Sequence, residues 1–195
     1  MPKTVLILSG HPMRGSFNCA LAMAYAEGAR ATGTEVRETF VHDLRFDPVL
    51  HLAYTAIQPL EPDLLKLQED VKWAEHLLFA FPIWWGMPPA YVKGMIDRAF
   101  HPSWAFKYVN KEDVFQKKLL TGRSARVIAT MDSPTLYYRW VMGAPGFRMM
   151  RNSLCHFCGI SPVRCTAIGS VRFSSPAKRG KWLQQARQLG ARDTA

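Results

Sequence analysis

The chain has 195 residues, 48% of them hydrophobic, and a formal net charge of +10 at pH 7. That length suits one domain with a full core, and that apolar content excludes a disordered chain. Cys19, Cys155, Cys158 and Cys165 make neither a disulfide framework nor a four-ligand zinc set, and no stretch reaches the ~20 apolar residues of a membrane span. The apolar run after Lys3 is too short for a secretory leader, so free thiols and a cytoplasmic location are expected. In chain order, residues 5–8 read as an apolar strand and residues 18–31 as an alanine-rich helix closed by Gly33. Residues 35–40 read as an alternating strand. Residues 61–73 read as a helix whose apolar face is Leu64, Leu65, Leu67, Gln68 and Val71. A buried strand over 77–81 and a helix over 89–100 follow. A strand over 125–130, a helix over 148–157, a strand over 164–169 and a closing helix over 176–189 complete the chain.

Five strands alternating with helices predict an α/β fold: a three-layer sandwich with a five-stranded parallel sheet and helices on both faces. A single switch region favours a flavodoxin-like strand order and one domain spanning residues 1–195. Residues 43–59 and 101–122 are long excursions, of the kind that serve function or an interface. Cys155 and Cys158 flank His156 at a helix end before Gly159. They read as buried small residues rather than a redox pair. The basic residues, with a modest cluster at Lys178, Arg179 and Lys181, come without any nucleic-acid-binding signature. They read as a surface that attracts anions.

In this fold the loops after strands one, three and four meet at the carboxyl edge of the sheet, where ligands bind. The first loop holds Gly10, His11, Arg14 and Gly15. Ser16 and Asn18 then stand at a helix entrance, suited both to capping and to a phosphate. His11 and Arg14 are expected to add positive charge there. It is neither a dinucleotide fingerprint nor a Walker loop. The second loop, Pro82, Ile83, Trp84, Trp85 and Gly86 with Pro88 and Pro89, is braced by proline, and its tryptophans offer an aromatic wall to a flat heterocycle. The third, Thr130, Met131, Asp132 and Ser133 before Pro134, offers polar contacts or a turn. A phosphate seat, an aromatic wall and polar ring contacts together suggest a flavin.

These blocks, with Lys93-Gly94, Asp97-Arg98, Trp104-Ala105-Phe106 and Phe157-Cys158-Gly159-Ile160, resemble the NAD(P)H:quinone oxidoreductase family of flavodoxin-like flavoproteins. The resemblance covers nearly the whole chain. It implies that His11, Ser16, Phe17 and Asn18 hold the flavin phosphate region and that Pro82, Ile83, Trp84 and Trp85 wrap the ring. Thr130, Met131 and Asp132 would border the ring's other side, with Tyr138 near the hydride acceptor. Trp104 and Phe106 would bind a flat substrate beside Trp84 and Trp85. The mammalian members carry a glycine pair where this chain has Asp132 and Ser133. The resemblance further implies ping-pong transfer from NADPH or NADH to a quinone, FAD rather than FMN, no metal, and a homodimer. Phe46, Trp104 and Trp140 are candidates for its interface. Other readings are a nitro- or azo-compound reductase and a regulatory subunit of a potassium efflux system with a peripheral partner. A one-electron carrier is a further reading, but such carriers are usually acidic.

Overall fold

The computed structural model describes residues 4–53, 55–56, 58–110 and 114–195. The elements are β1 (Thr4–Ser9), α1 (Phe17–Arg30), β2 (Glu35–Phe40), α2 (Pro62–Trp73), β3 (His76–Pro82) and α3 (Ala90–Ala99). Next come two short strands, β4 (Phe106–Lys107) and β5 (Lys117–Lys118), then β6 (Ser124–Thr130). A one-turn helix (Tyr137–Val141) leads to α4 (Pro145–Arg148), which continues in wide π-type turns over Met149–His156. β7 (Val163–Ile168) and α5 (Pro176–Thr194) close the chain.

The main sheet has the order β2-β1-β3-β6-β7 with every pairing parallel, as the alternating pattern predicts. All seven residues of β3 are buried, so its run of Leu77, Leu78, Phe79, Ala80 and Phe81 suits a strand covered on both faces. Side chains alternate between two core layers. Leu6, Leu8, Leu77, Phe79 and Val127 face α2 and α3, whereas Val5, Ile7, Leu78, Ala80 and Ile128 face α1 and α5. Fully burying a Leu, Ile or Phe side chain stabilises the fold by about 1.5–3 kcal/mol.

Several expectations need correction. Leu65 is exposed, because α2 buries Leu64, Gln68 and Val71 and position 65 lies off that stripe. The fourth helix starts at Pro145, where proline is favoured in a first turn, rather than at 148. Residues 136–139, which carry no element in the sequence reading, are helical. The excursion after β2 is fastened by Arg98, which is 1% exposed and donates to the Pro59 carbonyl at 2.7 Å and the Glu61 carboxylate at 3.0 Å. Within it, the Pro48 backbone passes so close to Gly94 that a Cβ there would lie 2.7 Å from the Pro48 carbonyl oxygen.

α1 and α5 also approach backbone to backbone. A Cβ on Gly28 would lie 1.9 Å from the Arg187 carbonyl oxygen, and one on Gly190 would lie 2.0 Å from that of Tyr25. Beside this contact a buried polar network pins α5 to the sheet. Tyr25 Oη donates to Asp193 Oδ2 at 2.8 Å and lies 2.9 Å from His76 Nε2, while His76 Nδ1 meets Ser124 Oγ at 2.7 Å. Arg126 and Arg164 both donate to the Asp193 carboxylate, at 2.8 and 2.9 Å to Oδ1.

Burial pushes His76 from 6.5 down to about 4, with Asp193 opposing and the arginines assisting. Below pH 6.5 the unfolded histidine takes a proton that the folded one refuses. Stability is therefore complete above that pH and is lost as pH falls towards 4. The contribution is roughly 3 kcal/mol. Urea unfolding at pH 7 and pH 4.5 should show the loss, and a His76→Gln protein should show a shallower dependence. An unchanged pH dependence in that variant would refute it. Asp193→Asn, which leaves two arginines without their carboxylate, should cost about 3–5 kcal/mol by the same assay.

Candidate functional site

The strand register sets the site. Ser9 pairs with Ala80, and Pro82 with Thr130, so β1, β3 and β6 end side by side. Backbone bonds carry the alignment into the loops: Gly10 N–H donates to the Ala80 carbonyl and Ile83 N–H to the Thr130 carbonyl, both at 2.7 Å.

In the first loop, Ser16 caps α1 by accepting from the Cys19 N–H at 3.2 Å. The first N–H groups of a helix have no partner within it, and here they lie beside Gly15, whose positive φ of 71° turns the chain into α1. Asn18 is buried. Its Nδ2 donates to Thr130 Oγ1 at 2.6 Å, joining the first loop to the third, and its Oδ1 has no protein partner. Because amide ends are interchangeable and a hydroxyl both gives and takes a hydrogen bond, one end of this amide is left for another group. His11 differs from expectation. Its Nδ1 accepts from the Met13 N–H at 3.0 Å, and burial, with His42 nearby, lowers its pKa, so it is neutral at pH 7. Arg14 is paired with Asp43.

The second loop is a tight reversal. Trp84 and Met87 exchange both backbone hydrogen bonds, at 2.9 and 3.0 Å. Trp85 and Gly86 between them have φ of 52° and 81°, the pattern of a type I′ turn. Trp85 at the tip is consequently fully exposed. Trp84 is half-exposed and meets the His11 ring edge-on at 6.0 Å. Pro82 is buried at the strand end, and Ile83 is partly buried.

Thr130 and Met131 are buried, while Asp132 is exposed and accepts from the Arg172 N–H at 3.0 Å. Tyr138 lies under the tryptophan turn. It is fully buried, donates to the Gly86 carbonyl at 3.2 Å and accepts from the Gly146 N–H at 3.0 Å. Burial raises its pKa, so the phenol is neutral and braces the tryptophan turn. Trp104 and Phe106 are not beside Trp84. Trp104 packs edge-on against Phe100 at the far end of α3, with the Lys72 ammonium 5.6 Å from its ring, and Phe106 packs against Phe157. Both therefore lie at the amino edge, about 20 Å of strand away from the tryptophan turn. Among the proposed interface residues, Phe46 packs against Tyr91 with ring centroids 4.6 Å apart and Trp140 is 82% exposed.

One cluster escapes the sequence reading. Phe17 meets Trp182 at 6.0 Å, the Arg179 guanidinium lies 5.8 Å from the Phe17 ring, and Lys178 Nζ lies 5.2 Å from the Trp182 ring. The basic run at Lys178 and Arg179 and the i, i+4 spacing of Lys178 and Trp182 were its local signals. A hollow of 340 Å³ lined by Pro134, Gly169, Lys178 and Trp182 adjoins it. A hollow of 150 Å³ between Leu50, Gln58 and Arg98 is too small for a flavin. Cys155 and Cys158 are buried, and burial raises both thiol pKa values, which makes them inert. No group of three or more His, Cys, Asp or Glu among the described residues is placed to hold a metal. No helix among them is long and apolar enough to cross a membrane.

Known proteins resemble this chain in sequence and in fold. The chain is 27% identical over 207 residues to an NAD(P)H dehydrogenase [quinone] 1 of Cavia porcellus, covering 93% of this chain and 74% of that one. An NAD(P)H:quinone oxidoreductase from Methanothermobacter marburgensis superposes with a TM-score of 0.83 at 22% identity, covering 100% of this chain and 98% of that one. An FMN-dependent NADH-azoreductase from Bacillus anthracis, solved with FMN, gives 0.75 at 15% identity, covering 98% and 100%. Residues 3–191 match the flavodoxin-like fold family, and the chain belongs to that family.

Proposed function

We propose that this protein is a flavin-dependent NAD(P)H oxidoreductase that passes two electrons, by ping-pong hydride transfer, to a quinone-like acceptor. The observation that carries this reading is the Asn18–Thr130 hydrogen bond with the unpartnered amide end beside it. It marks a polar seat between the α1 amino terminus and the third loop, next to an aromatic turn. The name of the Cavia porcellus relative supports the class.

A bound flavin would supply the hydride chemistry. The residues here would bind and orient it. The α1 N–H groups, Ser16, Phe17 and Asn18 would hold phosphate, with His11 contributing as a neutral group. Pro82, Ile83, Trp84 and Trp85 would flank the ring on one side, and Thr130, Met131 and Asp132 on the other. Tyr138 would hold Gly86, and so the aromatic turn, in place. FAD is favoured over FMN because the Phe17–Trp182 pair with Lys178 and Arg179 offers an aromatic and cationic platform for a second phosphate and an adenine. NADPH and NADH both remain donors of this reading, and the azoreductase likeness keeps an azo acceptor as its second form.

We read the active assembly as a homodimer. Within one chain Trp104 and Phe106 lie far from Trp84, so a slot containing all three requires a second copy. A groove of 280 Å³ between α3 and the wide-turned helix, lined by Ile96, Phe100, Met149 and Leu154, offers an apolar contact for it. Light scattering at micromolar concentration should give twice the chain mass; a monomer would refute the shared slot.

The purified protein should absorb near about 450 nm, bleach with NADPH under anaerobic conditions and recover on adding a quinone. Acid extraction should release FAD. A colourless protein that neither FAD nor FMN reconstitutes would overturn the reading. Asn18→Leu should weaken flavin binding at least about tenfold, as loss of a hydrogen bond to a charged group does. Tyr138→Phe should retain its flavin and lower kcat with an unchanged pH profile. Loss of a titrating limb would instead make the hydroxyl a proton carrier.

A further inference from the structure

The hollow beside Arg98 takes no part in the flavin seat. Among the described residues its walls come from the excursion after β2, from Arg98 near the end of α3, and from residues 101–103. All belong to one chain, so a second copy would change access to the hollow and not its lining. It lies at the end of α3 remote from the tryptophan turn, about 15 Å of helix away.

The excursion holds its own shape. Gln58 closes it, accepting from the His51 N–H at 2.9 Å and donating to the Val49 carbonyl at 3.3 Å. Arg98 donates to the Asp47 and Pro59 carbonyls and to both oxygens of the Glu61 carboxylate. Those bonds use every guanidinium N–H except the one on Nε, which is buried and has no partner. Native proteins rarely keep a buried donor without an acceptor. Ala53 and Ser103, which also line the hollow, have positive φ of 47° and 72°. Such backbone is costly for residues with a Cβ and clusters at ligand sites.

The walls narrow the occupant. Leu50, Ala53, Ala56 and Pro102 are apolar. Glu61 already balances the Arg98 charge, so the free Nε–H calls for an acceptor and not for a counter-ion. His101 donates from Nδ1 to the Pro102 carbonyl at 2.6 Å, which leaves its other ring nitrogen free. The volume is 150 Å³, and an apolar cavity of about that size takes benzene. We propose that this hollow binds a small uncharged carboxamide carried on a single ring. The amide oxygen accepts from Arg98 Nε, and the ring packs on Leu50, Ala53, Ala56 and Pro102. The proposal does not depend on the flavin reading, because no wall of the hollow belongs to the flavin seat.

Titration of the purified protein with benzamide, followed by ligand-observed NMR, tests it. Benzamide should bind saturably. Toluene, which lacks the carbonyl, should bind at least about tenfold more weakly, as loss of a hydrogen bond to a charged donor requires. Benzoate should also bind more weakly, because it brings a second negative charge beside Glu61. Arg98→Lys keeps a cation for Glu61 but has no Nε–H, and it should lose the site. Ala56→Leu fills the hollow from an exposed stretch of the excursion. It should lose benzamide while keeping the melting temperature of the parent. Absence of saturable binding would overturn the proposal and leave a hollow that holds only water. Undiminished binding by Ala56→Leu, or displacement of benzamide by NADPH, would overturn it by placing the benzamide elsewhere. Tighter binding of benzoate than of benzamide would make this an anion site and overturn the assigned class.

Discussion

The rest of the structure depends on the parallel pairing of β3 on both of its edges. Every residue from His76 to Pro82 is buried, and every backbone group that is not in a ladder must find another partner. Parallel pairing forces each connection to cross a sheet face, which clothes the sheet with helices and sends all strand ends to one edge. The N–H of Ile83 is satisfied by the Thr130 carbonyl and that of Gly10 by the Ala80 carbonyl. The loops with the site residues are thus aligned by the same ladder that makes the core.

The two ends of the sheet then take different roles. At the amino end, Tyr25, His76, Arg126 and Asp193 form a satisfied buried network, and glycines let α5 close against α1. At the carboxyl end, Asn18 keeps an unpartnered amide atom and Trp85 takes a left-handed backbone conformation that is costly for a residue with a Cβ. Local conflict of that kind gathers where a protein binds something.

Much of this was legible in the chain. Strands such as residues 77–81 announce themselves by uninterrupted apolar runs, and the alternation with helices leaves one parallel topology. The three loops could be placed at one edge for that reason alone. What could not be read were contacts set by tertiary packing. Tyr138 looks like any tyrosine in a polar loop, and only the position of Gly86 and Gly146 shows that its hydroxyl is enclosed. The Trp84-Trp85 pair suggests a wall, but a two-residue reversal throws Trp85 into solvent. Trp104 and Phe106 lie in an excursion whose direction depends on where α3 ends. The Phe17–Trp182 contact joins residues remote in sequence.

If the three loops form one flavin seat, then a single ligand must order all of them together. Hydrogen exchange of the flavin-free protein with and without added FAD measures this most directly. The account predicts slowed exchange in residues 10–18, 83–88 and 130–136 alike, with the amino-edge segment 101–108 following only in a dimer. Protection confined to one of the three loops, or none at any of them, would contradict it.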